Sequence, residues 1–251
     1  MLSKNLIKYL HSLQLKKYRQ EHNTFLVEGA KSVLELLASD FQIESVVTTD
    51  IFYKENSQKL DKQPFRVEIA TADELSRAGT LQTNDAALAV VKTKPNDFLY
   101  AEKGEYVLVL DDIRDPGNLG TIIRIADWYG ITKIICSLTT TDWYNPKVIA
   151  ASKGSFTRVR GYYTELAAYL EKVRNTEQGT GVYGTFLEGK NIHQTTFTDT
   201  GYIVMGNESN GISPTVEKFV SQKITIPRFG GAESLNVGIA AAVVLDNLQR
   251  K

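Results

Sequence analysis

The sequence predicts an α/β protein, and three observations carry that prediction. Beyond residue 105, short apolar runs ("YVLVL", "KIICS", "GVYGTFL", "GYIVM", "QKITIP") are separated by stretches of helical periodicity, the pattern of a mostly parallel sheet covered on both faces. With 251 residues, 42% hydrophobic and 23% charged, the chain is long and apolar enough for one large or two modest cores. Finally, "KTKPNDFLYAEKGE" interrupts the pattern with Pro, Gly and charge, which divides the chain into a small α/β domain over residues 1–95, a linker over 96–105 and a larger α/β domain over 106–251.

In the first domain, residues 2–19 are mostly helix-forming and "TFLVEG" reads as a strand ending at glycine. "AKSVLELLAS" follows as an amphipathic helix with Val33, Leu34 and Leu37 on one face. "IESVVTT" and "AALAVVKT" are further strands, and "TADELSRAG" is a capped short helix that stops at Gly79. In the second domain the order is strand "YVLVLDD", a helix over about 117–129, strand "KIICS", a short helix near 146–151, helix "TELAAYLEKVR" and strand "GVYGTFL". Strand "GYIVMGNE", a short helix after Ser213 and Pro214, strand "QKITIP" and a final helix from Ser234 onward complete it.

Composition excludes several functional classes. Lys plus Arg and Asp plus Glu both total 29, so any nucleic-acid surface must be a local patch. Cys136 is the only cysteine and lies in an apolar run, which excludes an intrachain disulfide and a Cys-rich zinc site. His11, His22 and His193 are scattered without metal-ligand spacing, so no metal is expected. The N-terminal segment mixes charges among its leucines and no apolar run reaches membrane-spanning length, so a cytoplasmic protein without membrane contact is expected.

One glycine pattern is a decoy. The run from Gly179 to Gly184 matches GxGxxG, but it follows a helix and enters a strand, the reverse of a dinucleotide-binding turn. Three other loops stand where open parallel sheets bind ligands, at the carboxyl ends of strands. The first is "DDIRDPGNLG", in which Asp115 or Asn118 can cap a helix that opens on Pro116. The second is "GNESNGIS" after a buried strand, and the third is "IPRFGGAESLNVGIA", where Gly230 and Gly231 make a bend and Ser234 is a candidate N-cap.

Arg124 interrupts the otherwise apolar "IIRIA" of the helix after the first loop. Two uses are open to it: a surface pair with Asp127 at i,i+3, or an anion site. Gly120, one turn earlier on the same face, favours the second by leaving a notch beside the guanidinium. The residues alone lead to an anion-handling site in an α/β enzyme.

Taken together and in order, "NLGTIIR", "VMGNESNGI" and "ITIPRFGGAESLNVGIA" resemble the three signature motifs of the SpoU (TrmH-like) branch of the SPOUT superfamily of RNA ribose 2′-O-methyltransferases. "ASKGSFTRV" resembles the family's intermediate segment, and "KKYRQEHNTFLVEG" the start of its N-terminal RNA-binding domain. The resemblance implies a SPOUT domain with a C-terminal trefoil knot, against the general rule that chains avoid knots, preceded by an L30e-like domain. It implies a homodimer with S-adenosylmethionine in the knot. Cofactor contacts fall on Gly206, Asn207, Ile226, Pro227, Ser234, Leu235 and Asn236, and catalytic roles on Arg124, Asn118, Glu208 and Asn236. Family members usually carry serine where this chain has Gly238.

The implied substrate is structured RNA, ribosomal in preference to transfer RNA. A non-catalytic RNA-binding or ribosome-assembly protein that keeps the fold is the alternative, and a nucleotide-dependent enzyme using the Gly179 turn is a second. Candidate RNA contacts are Lys16, Lys17 and Arg19, with Lys153, Arg158 and Arg160 after the first motif. Tyr18, Phe156 and Tyr162 are interleaved for stacking.

Overall fold

A computed structural model describes residues 1–62, 64–176 and 180–250. The chain forms two compact units: Met1–Pro95 together with Asp142–Thr157, and Asn96–Thr141 together with Arg158–Lys251.

The first unit is built on a four-stranded mixed sheet of β1 (Thr24–Glu28), β2 (Ile43–Thr48), β3 (Arg66–Ile69) and β4 (Ala87–Lys92), in the order β1-β4-β2-β3. β4 runs antiparallel to β1 and β2, and β3 is parallel to β2. Helices α1 (Lys4–Ser12), α2 (Lys16–His22), α3 (Ala30–Leu37), α4 (Asp50–Leu60) and α5 (Ala72–Ala78) surround it. Leu10, Leu13, Leu26, Leu75 and Leu88 share the core. α5 has the expected capping box: Glu74 N–H donates to the Thr71 hydroxyl while the Glu74 carboxylate accepts from the Thr71 N–H.

The helix-forming stretch 2–19 breaks in two after Leu13, and Arg19 supplies the reason. Its Nη1 donates to the carbonyls of Leu13 and Gln14, both at 2.8 Å, satisfying groups that a helix end leaves without partners. Its Nε and Nη2 both reach Asp142 Oδ2, at 3.0 and 2.5 Å. Asp142 heads the segment Asp142–Thr157, which contributes α7 (Pro146–Ser152) to this unit. Phe25 on β1 packs against the rings of Tyr144 and Phe156, with centroids 4.4 and 5.9 Å away.

The second unit is a six-stranded sheet in the order β10-β8-β9-β5-β6-β7, parallel throughout. Its strands are β5 (Tyr106–Leu110), β6 (Lys133–Ser137), β7 (Arg160–Thr164), β8 (Gly181–Asn191), β9 (Gly201–Met205) and β10 (Gln222–Thr225). β5, β6 and β9 are buried along their whole length, as strands covered on both faces must be. Cys136 sits inside β6, where burial pushes its thiol pKa up. The helices are α6 (Pro116–Trp128), α8 (Leu166–Thr176), α9 (Pro214–Glu217) and α10 (Val237–Gln249), and α6 packs on α10.

Residues 96–105, expected as a linker, are instead part of this second unit. Leu99 and Ala101 lie in its core, Tyr169 donates its hydroxyl to the Leu99 carbonyl, and Tyr202 accepts from the Ala101 N–H. Leu99 and Ala101 of "DFLYA" face inward while Phe98 and Tyr100 stay exposed, and the burial of the first two outweighs the local loop composition. Among the described residues, no helix is long and apolar enough to cross a membrane.

Candidate active site

The loop after β5 prepares the start of α6. Asp112 takes a left-handed conformation at φ 61°, and its carbonyl accepts from the Asn207 amide at 2.8 Å. A hydrogen bond from Arg114, at 2.9 Å, holds the Asp112 carboxyl below the usual carboxylate range. Asp115 is the N-cap, accepting from the Asn118 N–H at 2.8 Å, and Pro116 fills the first helical position. This fixes Asn118 on the first turn of α6.

The loop after β9 folds back on itself. Asn207 and Gly211 exchange backbone hydrogen bonds of 3.0 and 2.9 Å, and the Asn207 side chain accepts from the N–H groups of Ser209 and Asn210. A Cβ on Gly206 would stand 2.2 Å from the Gly211 carbonyl carbon, so only glycine permits this turn. The loop is tied to β5's end by Asp111, whose carboxylate accepts from the Ser213 N–H at 2.7 Å.

These loops and the one after β10 are joined by three side chains. Asn118 donates its amide to Glu208 Oε1, and Asn236 donates its own to Asn118 Oδ1 at 2.8 Å. Asn236 Oδ1 accepts from the N–H groups of Gly238 and Ile239, capping α10. The N-cap is therefore Asn236 rather than Ser234, and α10 begins two residues later than its sequence pattern suggests. Both residues are competent caps, but Asn236 also satisfies Asn118.

A cavity of about 830 Å³ opens at the carboxyl ends of β8, β9 and β10. Its walls include Gly206, Asn207, Ile226, Pro227, Ser234 and Leu235, with Glu208 from the polar network. Asn236 is outside the lining but holds the network together. Sequence reasoning missed one whole part of the lining: Thr185, Phe186, Leu187 and Glu188 on β8, with Ala240 and Val244 of α10. β8 runs eleven residues to Asn191 instead of ending at Leu187. The polar "EGKN" that extends it carries no apolar alternation to reveal a strand.

Arg124 is exposed on α6, outside the cavity lining. It has no hydrogen-bond or ion-pair partner among the described residues. The expected alternative, a pair with Asp127, does not form, because Asp127 holds Arg158 through Nε and through Nη2, the latter at 2.8 Å. The notch expected at Gly120 is also absent, since Gly120 is buried.

Two of the proposed RNA contacts are corrected. Arg19 is only 3% exposed and fully engaged inside the first unit, and Phe156 is buried in the aromatic cluster around Phe25. Lys16, Lys17 and Lys153 are exposed, with the Lys17 ammonium 5.7 Å from the Tyr18 ring centre. Lys153 belongs to the first unit and Arg158 to the second. Gly179 of the glycine decoy lies outside the described residues, while Gly181 and Gly184 are part of β8.

Residues 105–246 match the SpoU rRNA methylase family, and residues 4–89 match the MRM3-like substrate binding domain. The chain is 29% identical over 244 residues to the 23S rRNA (guanosine(2553)-2′-O)-methyltransferase RlmP of Bacillus subtilis, covering 97% of this chain and 95% of that protein. A solved structure from Porphyromonas gingivalis, assigned to the TrmH family of RNA methyltransferases, superposes with a TM-score of 0.87 at 34% identity, covering 100% and 99% of the two chains. An AdoMet-bound rRNA methyltransferase from Sinorhizobium meliloti superposes with a TM-score of 0.88 at 26% identity, covering 100% and 96%. With its three motif loops joined through Asn118, Glu208 and Asn236 and its family match running through the whole of the second sheet, the chain belongs to the SpoU rRNA methylase family.

Proposed function

We propose that the chain transfers a methyl group from S-adenosylmethionine to a ribose 2′-hydroxyl of ribosomal RNA. The observation that carries the reading is the Glu208–Asn118–Asn236 network, which ties the first motif loop to the two motif loops that line the cavity. The cavity fits the cofactor: its volume of about 830 Å³ is that of a small-molecule site. The missing Cβ at Gly206 lets the lining loop turn back on Gly211 and Ile212. Gly206, Asn207, Ile226, Pro227, Ser234 and Leu235 would hold it, with Asn236 and Glu208 bracing the loops. When bound, the cofactor supplies an electrophilic methyl group on a sulfonium.

What the chain itself supplies is position and charge. A guanidinium stays protonated in proteins, so Arg124 acts electrostatically: it clamps a phosphate beside the target ribose and stabilises the charge developing on the 2′-oxygen. Asn118 keeps the first turn of α6 registered to the cofactor loops. Lys16, Lys17, Lys153 and Arg158 serve RNA binding, with residues 1–95 as the substrate-binding domain of L30e-like fold and 106–251 as the methyltransferase domain. Residues 96–105 join the two in sequence.

The reading includes a homodimer formed through α6, α10 and a trefoil-knotted C-terminal segment, acting in the cytoplasm. Support for the dimer comes from apolar side chains left uncovered on these helices, Trp128 at 83% and Ile239 at 56% exposure. The test is calorimetric titration with S-adenosylmethionine, followed by mapping of 2′-O-methyl marks in rRNA from cells with and without the protein. Saturable binding and one lost mark are expected. Absence of binding would instead favour a non-catalytic assembly factor.

A further inference from the structure

The segment between β10 and α10 carries a side chain that the cofactor reading leaves unused. Phe229 is 97% exposed, yet it lines the cavity together with Arg228. The two glycines that follow it stand in open space, a Cβ on either meeting no atom within 4 Å. Arg228, its neighbour in sequence, closes the loop on itself, Nη1 donating to the Ala232 carbonyl at 3.3 Å. Leu187 and Leu235, at 76% and 48% exposure, continue the apolar rim.

Resting on the methyltransferase reading above, we propose that Phe229, flanked by Arg228, is the stacking platform for the base of the nucleotide being methylated. The chemistry is that of single-stranded RNA recognition, in which a base drawn out of its helix lies on an aromatic ring or a guanidinium plane. A ribose hydroxyl brought to a cofactor inside this cavity must leave its own base at the rim, where the ring stands. The polar network on Asn118 and the apolar rim then divide the labour: one fixes the cofactor loops, the other seats the acceptor.

The test compares Phe229→Ala, Phe229→Leu and Phe229→Tyr in the full chain. Methyl transfer is measured with labelled S-adenosylmethionine on rRNA extracted from cells lacking the protein, and cofactor affinity by calorimetry. Alanine and leucine should each lower kcat/KM for RNA by about tenfold or more, mainly through KM. Tyrosine should stay near wild type, and cofactor Kd should be unchanged throughout. Rescue by leucine would overturn the proposal, since apolar area without a ring would suffice. So would an equal loss of cofactor affinity, which would make Phe229 a cover for the cofactor, or conversion of a dimer to monomers in sedimentation, which would make it an interface residue. A wild-type chain that neither binds the cofactor nor methylates would sink the parent reading itself.

Discussion

Arg19 in the first unit and Arg124 in the second are opposite outcomes for the same side chain. Arg19 uses Nε and both terminal nitrogens within its own unit, on two carbonyls and one carboxylate. Arg124 uses none of its donors on described residues. The difference lies in which acceptors the fold delivers. Asp142 reaches Arg19 from 123 residues away, whereas Asp127, three residues from Arg124, is taken by Arg158. An exposed arginine left unpaired retains its full capacity for an anionic ligand, and one that closes a helix end has none to offer.

The contrast is broken most severely at Arg124. Arg124→Ala should lower kcat by roughly 10²–10³-fold, the scale of removing a donor to developing negative charge, while S-adenosylmethionine affinity and urea midpoint stay near wild type. An exposed side chain without partners leaves stability within about 0.5 kcal/mol. If affinity and rate fall together, Arg124 is holding the loops in place rather than acting on RNA.

Arg19→Met should show the reverse. It leaves Asp142 and two helix-end carbonyls without their donor, at a cost of about 2–4 kcal/mol. The lower part of that range is expected because the Asp142 side chain is 20% exposed and water can replace some of the loss. Urea denaturation measures it, and turnover per folded molecule should be unchanged. A variant as stable as wild type would mean that the break between α1 and α2 does not depend on this arginine.

The same contrast explains what could be read in advance. β5, β6 and β9 were legible because strands buried on both faces must be continuous apolar runs, as in "YVLVL", "KIICS" and "GYIVM". β3 and β7 were not, since both are edge strands whose residues are half-buried or exposed: "RVEI" of β3 alternates over only four residues and "RGYYT" of β7 shows neither a run nor an alternation. At the site, Asn118, Glu208 and Asn236 were visible as motif residues, but their mutual hydrogen bonds span 90 and 118 residues. The attachment of residues 142–157 to the first unit was equally hidden, for it rests on pairings such as Phe25 with Phe156. Local pattern reports burial; it does not report which distant group will meet a polar atom.

The smallest expected effect concerns Gly238, where the motif resemblance leads to an expectation of serine. Gly238 is buried in the first turn of α10, and a Cβ there would stand 3.1 Å from Thr121 Cγ2 and 3.2 Å from Asn236 Oδ1. Alanine should gain some of the helix propensity that glycine forgoes, up to about 1 kcal/mol, and lose a similar amount by crowding the β-branched Thr121, whose rotamers on α6 are restricted. Gly238→Ala alone should therefore change stability by no more than about 0.5 kcal/mol. In a Thr121→Ala background the contact with Thr121 Cγ2 is gone and the same substitution should become stabilising, giving a coupling of about 0.5–1 kcal/mol in a double-mutant cycle. Strict additivity would show that α6 and α10 yield at this contact, and that the glycine answers to Asn236 and its cap instead.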